Sequence, residues 1–172
     1  MKSWLNAAAV YTNPRICSVF FLGFSSGLPL ALTGQTLSLW LKDEGLSLTA
    51  IGVFAVVSTP YALKFAWAPI MDTVRIPLLS KLLGRRRSWI LICQFILILA
   101  TAALGLSDPA GQIGLTAMLA LIVAFSSASQ DVVIDAYRVE ILEEHQLAAG
   151  AAVVVFGYRI GMLVSGAGAL YL

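Results

Sequence analysis

Polarity along the chain alternates between five long apolar runs and short polar breaks. The runs lie near 16–41, 48–72, 88–107, 113–137 and 148–171, and about 20 helical residues suffice to cross a hydrocarbon core. Asn13-Pro14 and Ser47-Leu48-Thr49 are helix-start signals ahead of the first two runs. Small residues recur at four-residue spacing twice, as Gly23, Gly27, Ala31, Gln35 in the first run and Gly157, Gly161, Ser165, Ala169 in the fifth. Such seams let helix backbones approach closely. Pro29 and Pro60 interrupt the first two runs, and Pro29 should kink its helix by removing a backbone donor. Gln94 is the large polar group of the third run, which reads as a peripheral helix facing lipid. The pattern predicts an all-α, polytopic membrane helix bundle over 16–172, with 1–15 lying at the membrane surface. A short motif shared by Gly23–Gly27 and Ala124–Ala128 hints at inverted repeats.

Composition supports the membrane assignment. The chain is 59% hydrophobic and 12% charged, whereas soluble domains carry about 25% charged residues. A net charge of +2 gives no ground for nucleic-acid binding. The placement of the cations is more informative. Arg75, Lys81, Arg85, Arg86 and Arg87 crowd the loop between the second and third runs, which makes that loop cytoplasmic by the positive-inside rule. Lys2 and Arg15 agree, placing the N-terminus in the cytoplasm; the residues after Lys2 lack the clean apolar core of a cleavable signal. Trp4, Trp40, Trp67 and Trp89 fall near the ends of the runs and read as interfacial anchors. Cys17 and Cys93 have no metal or redox spacing and read as small core residues.

Polar groups inside the runs carry the candidate chemistry. Ser127, Asp131, Asp135 and Arg138 fall within a stripe about 80° wide on one face of the fourth helix. Ionisable groups inside a membrane persist where they face a partner helix or a watery cavity. By depth, Arg159 on the fifth helix can pair with Asp131, and Lys64 on the second lies at a similar level, so the three are expected to form one buried network. That network reads as a proton-coupled substrate pathway with Asp131 and Arg159 as the coupling pair. The other reading is a static ion pair that pins the helices together. Gln35, Tyr61, Gln130, Tyr158 and the serine pairs add neutral hydrogen-bonding groups for a polar substrate. Asp135 and Arg138, one turn nearer the cytoplasmic edge, read as a gate latch with the basic loop. His145 reads as a solvated loop residue. There is no P-loop, dinucleotide-binding glycine pattern, HExxH or cysteine cluster, and Asp131 and Asp135 on one helical turn cannot flank a scissile bond. Nothing here points to an enzyme, a cofactor or a metal.

Four segments together resemble one family. Asp72 and Gly84-Arg85-Arg86-Arg87 resemble, with an insertion, the signature loop of the major facilitator superfamily; Ala68 and Thr73 depart from its glycine and basic positions. Gly23-Phe24-Ser25-Ser26-Gly27-Leu28-Pro29, Lys64-Phe65-Ala66-Trp67-Ala68-Pro69, Ala128-Ser129-Gln130-Asp131-Val132-Val133-Ile134-Asp135 and Gly157-Tyr158-Arg159-Ile160-Gly161 are similar to the AmpG muropeptide permeases. The resemblance implies a bacterial inner-membrane importer that moves anhydro-muropeptides with protons for cell-wall recycling. It maps the family's Ser-Gln-Asp onto Ser129, Gln130 and Asp131, and its Tyr-Arg onto Tyr158 and Arg159. Lys64 or Arg159 would suit the peptide carboxylates. Asp72, Arg85, Arg86 and Arg87, with Asp135 and Arg138, would form the gating region. The superfamily has two six-helix halves, so a chain with five runs reads as the N-terminal part, inactive alone and missing its C-terminal half. Two alternatives remain open: a non-transporting membrane remnant or packing partner, and a facilitator carrier for acetyl-CoA, a sugar or a drug.

Overall fold

A computed structural model describes residues 10–169 of the chain, and every regular element among them is helical. Lys2 and Trp4, and the last residues of the fifth run, lie outside the described residues. Among the described residues, five helices are long and apolar enough to cross a membrane: Pro14–Asp43, Leu48–Ala66, Arg85–Gly105, Ile113–Ile141 and Glu144–Gly168. They are called the first to fifth spans. Arg15 pairs with Glu143 at 3.4 Å and Arg86 pairs with Asp72 and Glu140. The start of the first span and the turns after the second and fourth spans therefore share one end of the bundle, here the basic end.

Prolines explain where the spans depart from straight α-helix. Pro29 is buried within the first span, and three residues later Leu32–Thr36 widens to a π-helical turn. A missing backbone donor and a π-bulge are both recognised causes of a bent helix. The second span tightens to 3-10 geometry over Phe54–Ser58, just before Pro60, and again over Lys64–Ala66. Pro69 follows, and a separate short helix, Ala68–Thr73, replaces the continuous run to residue 72 expected from hydropathy. The third span starts earlier than expected. Gly84, at φ 83°, stops the short Leu79–Leu83 helix, so the arginine triplet stands in the first turn of the span rather than in a loop. Cations are unfavourable at a helix N-terminus, and Asp72 and Glu140 compensate.

The two glycine seams pack against one another. A Cβ added at Gly23 or Gly27 would overlap the carbonyls of Val154 or Tyr158; one added at Gly157 or Gly161 would overlap those of Phe20 or Phe24. Residue numbers rise together along both helices, so the first and fifth spans run parallel with their backbones in contact. Only hydrogen fits between them. Ser165 donates back to Gly161 O at 3.0 Å, satisfying its hydroxyl inside its own helix.

The fourth span is the most buried of the five. Ala120, Val123 and Ala124 join Leu37, Leu41, Phe54, Leu97 and Leu104 in an apolar core near the end opposite the basic one. The third span lies behind it, burying Cys93, Leu97, Ala100 and Leu104 on one stripe. It is peripheral as expected, but Gln94 does not simply face lipid: it accepts from Ser25 Oγ at 2.8 Å. Cys17, expected in the core, is exposed, while Cys93 is buried. Trp67 turns inward to donate to Ser129 Oγ at 3.1 Å instead of anchoring at an interface.

Gly27→Val should disrupt the parallel pair, lowering stability by about 1–3 kcal/mol or more. Gly52→Ala, with open space around its Cβ position, should be neutral or stabilising by about 0.5–1 kcal/mol. Thermal unfolding of both variants in detergent checks this; equal midpoints would mean that the seam carries no such constraint.

Candidate functional site

The longest helix supplies the central carboxylate. Asp131 stands ten residues before the end of the fourth span at Ile141, about 15 Å along the axis. Its side chain is 11% exposed. The Ser26 hydroxyl donates to Oδ1, and Lys64 Nζ lies 3.5 Å from Oδ2. Each carboxylate oxygen thus has its own partner, one neutral from the first span and one cationic from the second. Lys64 is 36% exposed, so the pair is open on the lysine side. Tyr158 of the fifth span completes a pocket of about 210 Å³, with Asp135, Val154 and Val155. Four of the five spans converge here, and the third stands behind the fourth.

The local sequence explains the convergence. Ser26 precedes Gly27 and Tyr158 follows Gly157, so the glycine contacts that bring the two backbones together also set these side chains beside Asp131. Lys64 sits at the 3-10 turn that closes the second span. That turn rotates the side chain away from the register a straight α-helix would give it.

The expected coupling pair is not formed. Arg159 is exposed, and among the described residues it makes no ion pair or hydrogen bond; Lys64 holds Asp131 in its place. The reason is angular. Gly157 and Gly161 face the first span, and Arg159, midway between them in sequence, points about 180° away from their mean direction.

The other expected residues divide. Lys64 and Tyr158 line the pocket with Asp131. Gln130, 1% exposed, instead donates to Ser25 Oγ at 3.2 Å, and Ser25 donates on to Gln94. This polar relay crosses from the fourth span through the first to the third. Ser129 is engaged by Trp67. Tyr61 lies beside Ser127 and Thr33, its hydroxyl and that of Ser127 buried without a hydrogen bond of ordinary geometry. Gln35 is exposed in the π-helical turn.

The latch differs in membership from its expected form. Asp135 and Arg138 pair with each other at 3.6 Å, one turn apart. The arginine triplet engages other groups. Arg86, 10% exposed, bridges Asp72 and Glu140, with Nε 2.8 Å from Glu140 Oε1. Arg85 Nη2 lies 3.6 Å from the same oxygen. Arg87 Nε donates to the Tyr137 hydroxyl at 3.1 Å, its guanidinium 5.8 Å from the ring centroid. The third and fourth spans and the short helix that follows the second are thereby tied at the basic end. Glu140 and Tyr137 are the participants that sequence reading missed. Spacing from Asp131 could not have marked them, since Tyr137 and Glu140 point about 120° and 180° away from it around the same helix.

Comparison with known proteins adds the family context. The family model described as acetyl-coenzyme A transporter 1 matches residues 16–114. The chain is similar to the anhydromuropeptide permease of Escherichia coli K12, 46% identical over 163 residues that cover 95% of this chain and 32% of the permease. It is 46% identical over all 172 residues to a Haemophilus influenzae protein, covering 39% of that protein. It is 39% identical over 165 residues to a Rickettsia felis protein named as an AmpG transporter, covering 95% of this chain and 39% of the relative. The chain therefore spans 32–39% of the length of these relatives.

Removing Lys64 leaves Asp131 with only the Ser26 hydroxyl. Lys64→Met should cost roughly 1–3 kcal/mol, below the range for a fully buried pair because the lysine is partly solvated. Adding Asp131→Asn should recover part of that loss, whereas Arg159→Met should be nearly neutral. Thermal midpoints of the chain in nanodiscs measure this; an Arg159→Met loss as large as that of Lys64→Met would contradict the pairing.

Proposed function

Because the chain belongs to the AmpG-type permeases of the acetyl-coenzyme A transporter family, we propose that it is the N-terminal part of a proton-coupled importer of anhydro-muropeptides at the bacterial inner membrane. The observation that supports this reading best is the Lys64–Asp131–Ser26 cluster in a pocket reached by four spans. Buried charge inside a membrane bundle is expensive and marks substrate and ion pathways.

The chemistry follows from which oxygen holds which partner. A proton added at Asp131 Oδ2 neutralises the charge that holds Lys64. The freed ammonium can then bind an anionic group of the substrate, such as a stem-peptide carboxylate. Loss of the proton restores the ion pair and expels that group. Proton and substrate are thus coupled through competition for one lysine. Tyr158 offers a hydroxyl to the same space, and Ser26 holds the carboxylate in one orientation through both states.

The tie among Arg86, Asp72 and Glu140 fits a cytoplasmic gate in this scheme. Its two carboxylates come from the short Ala68–Thr73 helix and from the fourth span, so a motion that separates these two elements has to break it. The N-terminus and the arginine triplet then both lie in the cytoplasm, following the positive-inside rule. In the superfamily the substrate binds between two halves, so transport is assigned to this chain together with a C-terminal half.

Uptake of labelled anhydro-muropeptide is the test, in cells lacking their own importer and with the gene expressed in its longest reading frame. Asp131→Asn should abolish gradient-driven uptake while membrane expression persists. Lys64→Gln should raise the substrate concentration needed for half-maximal uptake by about tenfold, the loss of one charge-assisted contact. Undiminished uptake by the Asp131→Asn protein would remove the carboxylate from the mechanism.

A further inference from the structure

The basic end holds a second cavity, about 380 Å³, beside the Arg86 tie, and the transport scheme leaves its Arg75 and Arg85 unused. Four guanidinium groups line it, from Arg75, Arg85, Arg86 and Arg87, against the single carboxylate of Glu140. Arg86 is committed to Asp72 and Glu140, and Arg87 to Tyr137. The other two are not saturated. Arg75 is exposed and, among the described residues, makes no ion pair or hydrogen bond. Arg85 reaches Glu140 only at 3.6 Å, through Nη2, while its Nε is buried without a hydrogen-bond partner. The cavity thus carries unspent positive charge with donors available to an anion.

The surroundings define what kind of anion fits. Leu78 is 74% exposed and Leu82 77% exposed on the segment that carries Arg75 and leads to the triplet. Leu83 forms part of the cavity wall. Trp89, at the same end of the third span, donates to Val74 O at 3.0 Å and holds the start of this segment against the bundle. A basic concavity with Leu83 in its wall, on a segment that also exposes Leu78 and Leu82 at the end of a membrane-spanning bundle, matches an amphiphile: an anionic head beside acyl chains. A soluble phosphate would make no use of the leucines. Guanidinium forks suit phosphate oxygens better than a point charge does.

We propose that this cavity binds the phosphate of an anionic phospholipid, with Arg75 and Arg85 as its ligands and Leu78 and Leu82 against its acyl chains. Such a lipid would sit beside the Arg86 tie without replacing either of its carboxylates. Assignment of this lipid site does not depend on the transported substrate.

The test is lipid retention. The chain is reconstituted in vesicles of equal phosphatidylglycerol and phosphatidylcholine, extracted in mild detergent, and its bound lipids are counted by native mass spectrometry. The native chain should retain phosphatidylglycerol preferentially, and Arg75→Gln should lower that preference by about fivefold, with Arg85→Gln lowering it by a similar factor. Lys42→Gln, at the opposite end, should leave it unchanged and serves as the charge control. Leu78→Ser with Leu82→Ser should also reduce retention, and excess inorganic phosphate should not displace the lipid. Circular dichroism confirms that each variant remains helical. Equal retention of the two lipids by the native chain would overturn the proposal, as would an undiminished preference in the Arg75→Gln, Arg85→Gln double variant. Displacement by inorganic phosphate with no effect of the leucine changes would assign the cavity to a soluble anion instead.

Discussion

Contact between the backbones of the first and fifth spans is the constraint on which the rest of the bundle depends. Lipid tails are as apolar as leucine, so helices in a bilayer gain little from burying apolar side chains and associate through close packing. Here the packing is carbonyl against glycine at four positions, Gly23, Gly27, Gly157 and Gly161. The contact brings Ser26 and Tyr158, each one residue from a seam glycine, to the pocket that holds Asp131. A bulkier residue in the seam would displace the polar site as well as the helices.

Electrostatics organises the molecule at two levels. Midway along the bundle, one carboxylate is shared between a lysine and a hydroxyl. At the basic end, one arginine is shared between two carboxylates. These arrangements have opposite consequences. A carboxylate with one cationic partner can exchange it for a proton, which suits a site that changes state. An arginine held by two acids keeps its charge throughout, which suits a tie that yields only when helices separate. The outer arginines, Arg75 and Arg85, are left with capacity for an anion because the two acids are already engaged by Arg86.

Much of this was legible in the chain. Five spans, an all-α bundle and the two small-residue seams all follow from residue type and spacing, and the AmpG resemblance rests on the motifs they carry. Hydropathy depends on local composition, and a helix places its side chains at a fixed angle per residue. Depth in the membrane was legible for the same reason: it needs only a rise per residue and a span boundary. It correctly put Lys64 and Asp131 at one level.

Azimuth was not legible, because depth arguments are silent on which way a helix is turned about its axis. Arg159 stands at a suitable height for Asp131, yet the glycine seam turns it to the opposite face. Trp67 and Gln94 looked like boundary and lipid-facing residues, and inter-helix packing turned both toward polar partners. A proline-driven break moved the end of the second span, and the Gly84 turn delivered the arginine triplet into a helix. Composition and period therefore determined the spans, their order and the heights of the charged groups. Tertiary packing alone decided which charges meet, since rotation and neighbour choice arise from contacts between segments far apart in the chain.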